Sequence, residues 1–438
     1  MKTITSLILI LAIACLSAQD RTAPAVTAVK CGKLLNVRTG AYASDVVVLI
    51  ERGRISAVGS DVKVPEGAKI IDLSRATVLP GLIDAHTHLL QNYKGTIGGD
   101  DPNMILTVAQ IGTTLRALLG AMMGREMLEA GFTTVRDLGN SGVNGDVALR
   151  DAINAGMVPG PRIVASTRAL SAAGGQFGRI AAEVQPIIAQ EYVVVAGVDE
   201  ARKAVRQAFY DGAECIKVIV NTGTRVLGAD EMKAIVEEAS RVGKKVSAHA
   251  IGDLATRVSA QAGVSSIEHA YTIPDDVLKL MEEKKIYLVP TDYPADFYLS
   301  LDPNVTPEEK AQREEGVKRF TQGSRERLAR ALKFGVPVAA GSDEYYAVPG
   351  KTRGQAALAM FRAYAEAGMT PLQVLQSATV NAADLLGWDP RIGTIETGKF
   401  ADMIAVEGDP LKDITLLEKT FFVMKGGAVI RNTFVAHE

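Results

Sequence analysis

The stretch Gly81-Leu82-Ile83-Asp84-Ala85-His86-Thr87-His88 is a short apolar run that ends in two histidines one residue apart. A run this short, bounded by turn formers, fits a buried strand better than a helix, which needs a longer periodic stretch. The same texture recurs at 133–137, 162–166, 215–220, 245–248, 265–268, 286–290 and 336–341. Between these runs lie helix-like segments such as 200–210, 229–242, 253–262 and 275–284. Eight buried strands, each followed by helical material, predict an α/β protein: a (β/α)8 TIM barrel with parallel strands inside and helices outside. A doubly wound open sheet is the alternative, but no Gly-x-Gly-x-x-Gly turn follows an early strand.

The chain ends differ in texture from the middle. Val46-Val47-Val48-Leu49-Ile50 and Arg54-Ile55-Ser56-Ala57-Val58 near the start are short strands punctuated by turn residues. Asp402-Met403-Ile404-Ala405-Val406, Phe421-Phe422-Val423-Met424 and Ala428-Val429-Ile430 repeat that pattern near the end. Strands at both ends pair naturally, which predicts a small β-sandwich domain from 26–78 and 390–438, with the barrel at 79–389 inserted between them.

Met1-Lys2, the apolar run from Leu7 to Ala14 and the small residues after it read as a signal peptide over 1–18, too short to span a bilayer as a mature helix. A buried N-terminal helix is the other reading. The signal predicts an extracytoplasmic protein, periplasmic or secreted, and Ala12-Ile13-Ala14-Cys15 also resembles a lipoprotein cleavage site, so lipid anchoring at Cys15 is a second form of export. Beyond it, Cys31 and Cys215 are too few for a disulfide framework. A net charge of −2 with no long run of one sign excludes a nucleic-acid footprint, and no other segment reads as a transmembrane span.

The chain has five histidines: His86, His88, His249, His269 and His437. The first four fall at or just past the end of a predicted barrel strand, where catalytic groups collect in this architecture. Residues two apart in an extended chain project to one side, so His86 and His88 can aim at one ion. His-x-His alone is a weak signal. With His249, His269 and Asp343, each at a strand end, it becomes a metal-ligand set of the zinc type. Asp343 also reads as a helix N-cap. Lys217 sits inside an apolar strand, where an unpaired ammonium is costly. It is either salt-bridged to Glu214 or another carboxylate, or it is a neutral amine that has taken up carbon dioxide, giving a carbamate able to bridge two cations. Among loop residues, Arg225 could meet a substrate carboxylate. Tyr293 could bound an apolar pocket, and Tyr345, with Tyr346, lies near Asp343. Each of these also reads as a plain loop residue.

Val78-Leu79-Pro80-Gly81-Leu82-Ile83-Asp84-Ala85-His86-Thr87-His88 resembles the opening signature of the amidohydrolase superfamily. Gly393-Thr394-Ile395-Glu396-Thr397-Gly398-Lys399-Phe400-Ala401-Asp402 is similar to the segment that returns such chains to their β domain. Within the superfamily the chain looks most like imidazolonepropionase-related peptidases that release a C-terminal amino acid from dipeptides (the Xaa-Pro and Xaa-Arg dipeptidase branch), and like bacterial ochratoxin A-hydrolysing amidohydrolases. The resemblance implies His86, His88, Lys217, His249, His269 and Asp343 as metal ligands, two divalent metal ions of the zinc type and carboxylated Lys217 as their bridge. It implies hydrolysis of a small-molecule amide, a dipeptide or N-acyl amino acid, by a hydroxide held between the metals, with Asp343 moving the proton, and a homo-oligomer. Where many relatives carry His after a Gly-Gly pair, this chain has Gln176, which can hydrogen-bond to substrate but carries no charge. The rivals are a mononuclear deaminase or cyclic-amide hydrolase on the same scaffold, which would do without Lys217, and a non-catalytic metal-binding protein.

Overall fold

The eight expected barrel strands form as Leu82–Thr87, Phe132–Asp137, Arg162–Ala165, Cys215–Ile219, Lys245–Ala250, Ser266–His269, Tyr287–Val289 and the extended segment 336–341 in a computed structural model, which describes residues 26–92, 102–301 and 306–433. The segment at 1–18 with Cys15, and His437, lie outside the described residues. Every residue of the first, second, fourth and sixth barrel strands is buried. Both faces of these strands are covered, one by the barrel interior and one by the helices, which is why they lack the alternation of a half-exposed strand.

Neighbouring strands run parallel, with Ile83 opposite Thr134, Thr134 opposite Arg162, Cys215 opposite Lys245, Ser247 opposite Ser266 and Ser266 opposite Tyr287. One or two backbone hydrogen bonds close each of the remaining gaps. Glu214 N donates to Ala165 O at 2.7 Å, joining the third strand to the fourth, and Ala339 N donates to Leu288 O at 3.0 Å, joining the seventh to the eighth. Ala85 N donates to Ala340 O at 2.7 Å and Asp343 N to His86 O at 2.8 Å, so the eighth strand locks onto the first. The fold is a TIM-type α/β barrel.

The outer helices Val198–Tyr210, Ala229–Ser240, Asp253–Ala262 and Asp275–Glu283 begin and end close to the expected positions. Each carries acidic residues in its first turn, where they complement the positive end of the helix dipole. Two further helices, Pro102–Gln110 and Thr113–Glu129, fill the long connection between the first and second barrel strands.

The two chain ends meet as expected, and their strands pair into one seven-stranded sheet. Lys69–Pro80 lies at its centre, parallel to Thr27–Leu35 on one side and antiparallel to Met403–Val406 on the other. The pairing links all seven strands in one continuous sheet, and strand order alone does not establish the two facing layers of the expected sandwich. Alternation along Met403–Val406 explains how it joins the barrel: Ile404 and Val406 pack into the barrel's apolar cluster, Met403 and Ala405 into the sheet's own. No sequence cue marks Lys69–Pro80 as the longest strand, because Asp72, Ser74 and Arg75 occupy its exposed positions. Cys31 and Cys215 are buried free thiols, one in each part.

Gly341 is where the barrel's closure has no spare room. A Cβ there would stand 2.4 Å from Val289 Cγ1 and 2.7 Å from His86 Cβ. Gly341→Ala is therefore expected to destabilise the protein by about 1–3 kcal/mol, read as a lower midpoint in urea unfolding, and to displace the first strand's histidines.

Candidate active site

All six side chains singled out as metal ligands line one cavity of about 620 Å³ at the carboxyl end of the barrel. His86 and His88 come from the end of the first strand, Lys217 from the fourth, His249 from the fifth and His269 from the sixth. Asp343 follows the eighth. Asp343 Oδ1 stands 3.0 Å from His88 Nε2 and 3.4 Å from His86 Nε2, and Oδ2 is 3.7 Å from His269 Nδ1. Lys217 Nζ is 3.4 Å from His86 Nε2. The rings of His249 and His269 are 4.6 Å apart. Glu214, the candidate salt-bridge partner of Lys217, pairs with Arg150 at 3.1 Å instead.

The hydrogen bonds behind three of the imidazoles fix which nitrogen faces the cavity. His86 Nδ1 is 2.7 Å from Glu268 Oε2, and a carboxylate oxygen accepts, so Nδ1 carries the proton. His88 Nδ1 donates to the Gly139 carbonyl at 2.8 Å. Thr291 Oγ1 gives its proton to Pro290 O at 2.7 Å, and so accepts from His269 Nδ1 at 2.8 Å. In a neutral ring each such bond leaves the Nε2 lone pair free to ligate, the arrangement that orients imidazole toward a metal. Burial, with the nearby Lys217 charge, drives the His86 imidazole well below its ordinary range. His249 is lowered to about 3, again by burial first, and His269 well below its usual value. These three rings are therefore neutral near pH 7.

Neutral His86 in this tautomer offers Asp343 no proton from Nε2. Its lone pair faces a carboxylate oxygen of Asp343, an arrangement that a cation between them reconciles. His86, His269 and Asp343 each offer an atom within 4.8 Å of the others'. The donor set thus fits a divalent cation of the zinc type. Burial also lowers the Lys217 amine to about 8, against the pull of Glu268 and Asp343, so neutral amine is accessible near neutral pH.

Backbone strain gathers at the same place. His269, Ala270, Thr291 and Asp343 all have left-handed φ values of 68°, 48°, 58° and 50°. Such positions cost on the order of 1–3 kcal/mol each for non-glycine residues and persist where the surroundings overdetermine them.

Sequence reasoning missed the layer beneath the ligands. Glu268 is fully buried; besides His86 it accepts from Arg136 at 3.0 Å, Ser247 at 2.7 Å and Ser266. Arg136 also donates to Ala85 O at 2.6 Å. Two opposite charges inside fully buried strands were the available signal. Asp137 accepts from Leu89 N at 2.7 Å and Ser141 Oγ at 2.8 Å, tying down the loop that carries His88.

Of the substrate-contact candidates, Gln176, Tyr293 and Tyr345 line the cavity. Tyr293 stacks on Phe297 at 3.8 Å between ring centres, and Tyr345 stands edge-on to His88 at 6.0 Å. Arg225 does not join them. Its guanidinium donates to Ala173 O at 2.7 Å and Phe177 O at 2.8 Å and borders the adjacent groove instead of the cavity where a substrate carboxylate was expected. The cavity also takes in Tyr271, Tyr298 and Phe320, an aromatic wall with no sequence signature.

Residues 77–436 match the Amidohydrolase family. The chain belongs to that family. It is 30% identical to ochratoxinase of Aspergillus niger over 86% of this chain and 81% of the relative, and 27% identical to imidazolonepropionase of Symbiobacterium thermophilum over 80% and 81%. A crystal structure of a Xaa-Pro dipeptidase with bound methionine aligns with a TM-score of 0.79 at 30% identity, covering 93% of this chain and all of that one. The crystal structure of A. niger ochratoxinase aligns at 0.76 and 28% identity, covering 93% and 96%. Members of the family are metal-dependent hydrolases, and with these relatives the protein is a hydrolase acting on C–N bonds.

Glu268→Gln is expected to weaken divalent-metal binding about 10–100-fold, because the hydrogen bond that orients His86 loses its charge. Competition with a chromogenic chelator measures this. The same change leaves Arg136 buried without its partner charge and should lower stability by about 3–5 kcal/mol in urea unfolding.

Proposed function

We propose that the protein is a binuclear metal-dependent amidohydrolase that releases the C-terminal amino acid from dipeptides or N-acyl amino acids, ochratoxin A-type aryl amides included. The observation that carries this reading is the convergence of His86, His88, Lys217, His249, His269 and Asp343 on one cavity, with the Nε2 atoms of His86 and His88 turned toward the Asp343 carboxylate. These six side chains would hold two divalent ions of the zinc type, Lys217 as a carbamate between them. When bound, such ions supply Lewis acidity and a water acidic enough to act as nucleophile near neutral pH.

The chain's own groups supply the rest. Asp343 reaches the cavity with its side chain 17% exposed, so it can take the nucleophile's proton and return it to the departing nitrogen. The return matters because an amine anion is a very poor leaving group. Tyr293, Phe297, Tyr298 and Phe320 offer an apolar wall for an aromatic group, and Gln176 and Tyr345 offer neutral hydrogen bonds to the polar end of the substrate. A cavity of about 620 Å³ suits a molecule of two residues. The ochratoxinase and Xaa-Pro dipeptidase relatives support the same substrate class. The apolar run at 7–14 supports placing the activity outside the cytoplasm.

A single-ion reading has one observation in its favour: the tight group His86, His269 and Asp343. Lys217 separates the two readings. In the binuclear enzyme, Lys217→Ala should hold at most one metal per chain and lose most of its turnover; a variant with full metal and full activity would leave the single-ion reading standing. Chelator treatment should abolish hydrolysis across a panel of dipeptides and N-acyl amino acids, and about two equivalents of zinc per chain should restore it. Asp343→Asn is expected to lower kcat by about 10²–10⁴-fold in a folded protein; undiminished turnover would refute its proton-carrying role.

A further inference from the structure

The loop at 172–178, after the third barrel strand, carries Gln176 into the cavity, yet it has little regular structure of its own. Its internal backbone bonds are Gly175 N to Ala172 O at 3.2 Å and Phe177 N to Gly174 O at 3.1 Å, and both central glycines are left-handed, with φ of 84° and 58°. The remaining support comes from two directions. On the inner side Tyr192 packs beneath it: a Cβ on Gly175 would lie 2.1 Å from the Tyr192 ring, Phe177 meets that ring edge-on at 5.4 Å, and Tyr192 donates its hydroxyl proton to Gln176 Oε1 at 3.3 Å.

On the outer side the support is a single side chain. Arg225 belongs to a two-stranded hairpin, with Asn221 opposite Val226 and Thr222 opposite Arg225, directly after the strand that bears Lys217. The hairpin is itself anchored: Asn221 donates from Nδ2 to Ile251 O at 2.9 Å and accepts from Ile251 N at 3.0 Å. From that base, one guanidinium arm reaches Ala173 O and the other Phe177 O, the two ends of the turn that holds Gln176. The loop is wrapped so closely on this group that a Cβ on Gly174 would stand 2.2 Å from Arg225 Nη1. A planar fork with fixed donor directions suits two carbonyls a few ångströms apart better than the single ammonium of lysine does.

We propose that Arg225 is a positioning residue: it clamps the Ala173 and Phe177 carbonyls and so holds Gln176 in the geometry that recognises the substrate's polar end. The proposal rests on the amide-hydrolase reading only in taking Gln176 as a substrate contact. The clamp couples two neighbouring loops of the barrel rim, so that the hairpin following Lys217 sets the position of a side chain contributed by the third strand's loop.

The test combines hydrogen–deuterium exchange with a kinetic cycle on the full chain. In Arg225→Ala the amides of 173–178 should exchange faster while metal content stays at the parental level. KM for an amide substrate should rise about threefold to tenfold, the range for losing one neutral hydrogen bond, with kcat within about twofold. Arg225→Lys should recover part of both effects. Gly174→Ala, which pushes the guanidinium aside, should reproduce them, and these two variants carry the test if Arg225→Ala does not fold. In a Gln176→Ala background, Arg225→Ala should raise KM no further. Unchanged exchange in the loop overturns the clamp. An equal rise in KM in the Gln176→Ala background means that Arg225 acts on substrate directly, and overturns the proposal in the other direction. If the parent protein cleaves no amide on the panel, it is the amide-hydrolase reading that falls, and the exchange data alone decide the clamp.

Discussion

A single buried carboxylate, that of Glu268, organises the interior below the site. It accepts hydrogen bonds from His86 on the first barrel strand, Arg136 on the second, Ser247 on the fifth and Ser266 on its own, the sixth. An ionised group without solvent is stable only when its acceptor sites are filled and a counter-charge is near, and here both conditions are met by residues from four strands. The consequence is geometric as well as energetic. Glu268 dictates the tautomer and ring plane of His86, and His86 in turn faces both Lys217 and Asp343. The candidate metal-ligating surface is therefore suspended from a charge network that belongs to the barrel's own packing.

The four left-handed residues at the strand ends fit this picture. His269, Ala270, Thr291 and Asp343 lie where strands turn into loops. Thr291 is an instance: its hydroxyl bonds back to Pro290 O and orients His269, so the strained turn and the imidazole's direction are one feature.

The barrel was legible because its strands are buried on both faces and its helices are punctuated by Gly and acidic first turns; period and punctuation are local properties. The cluster of candidate ligands was legible because histidine is scarce in this chain and four of its five copies end short strands. What escaped detection depends on partners distant in sequence. Glu268 looks like one more polar residue before His269 until Arg136 is seen against it. Arg225 has the look of a ligand-binding arginine in a barrel loop, and its partners, two backbone carbonyls some fifty residues earlier, have no side-chain signature. Lys69–Pro80 was hidden by the charges on its exposed face.

That central strand also constrains how the molecule is made. Lys69–Pro80 takes its second neighbour, Met403–Val406, from a part of the chain that leaves the ribosome only after the whole barrel has been translated. Until then the nascent polypeptide presents an open β edge with unsatisfied N–H and C=O groups, the kind of surface that templates association between chains. Completion of the sheet is thus the last topological event in biogenesis, and a ribosome that stalls or stops early releases a barrel with a sticky margin rather than a shorter working enzyme.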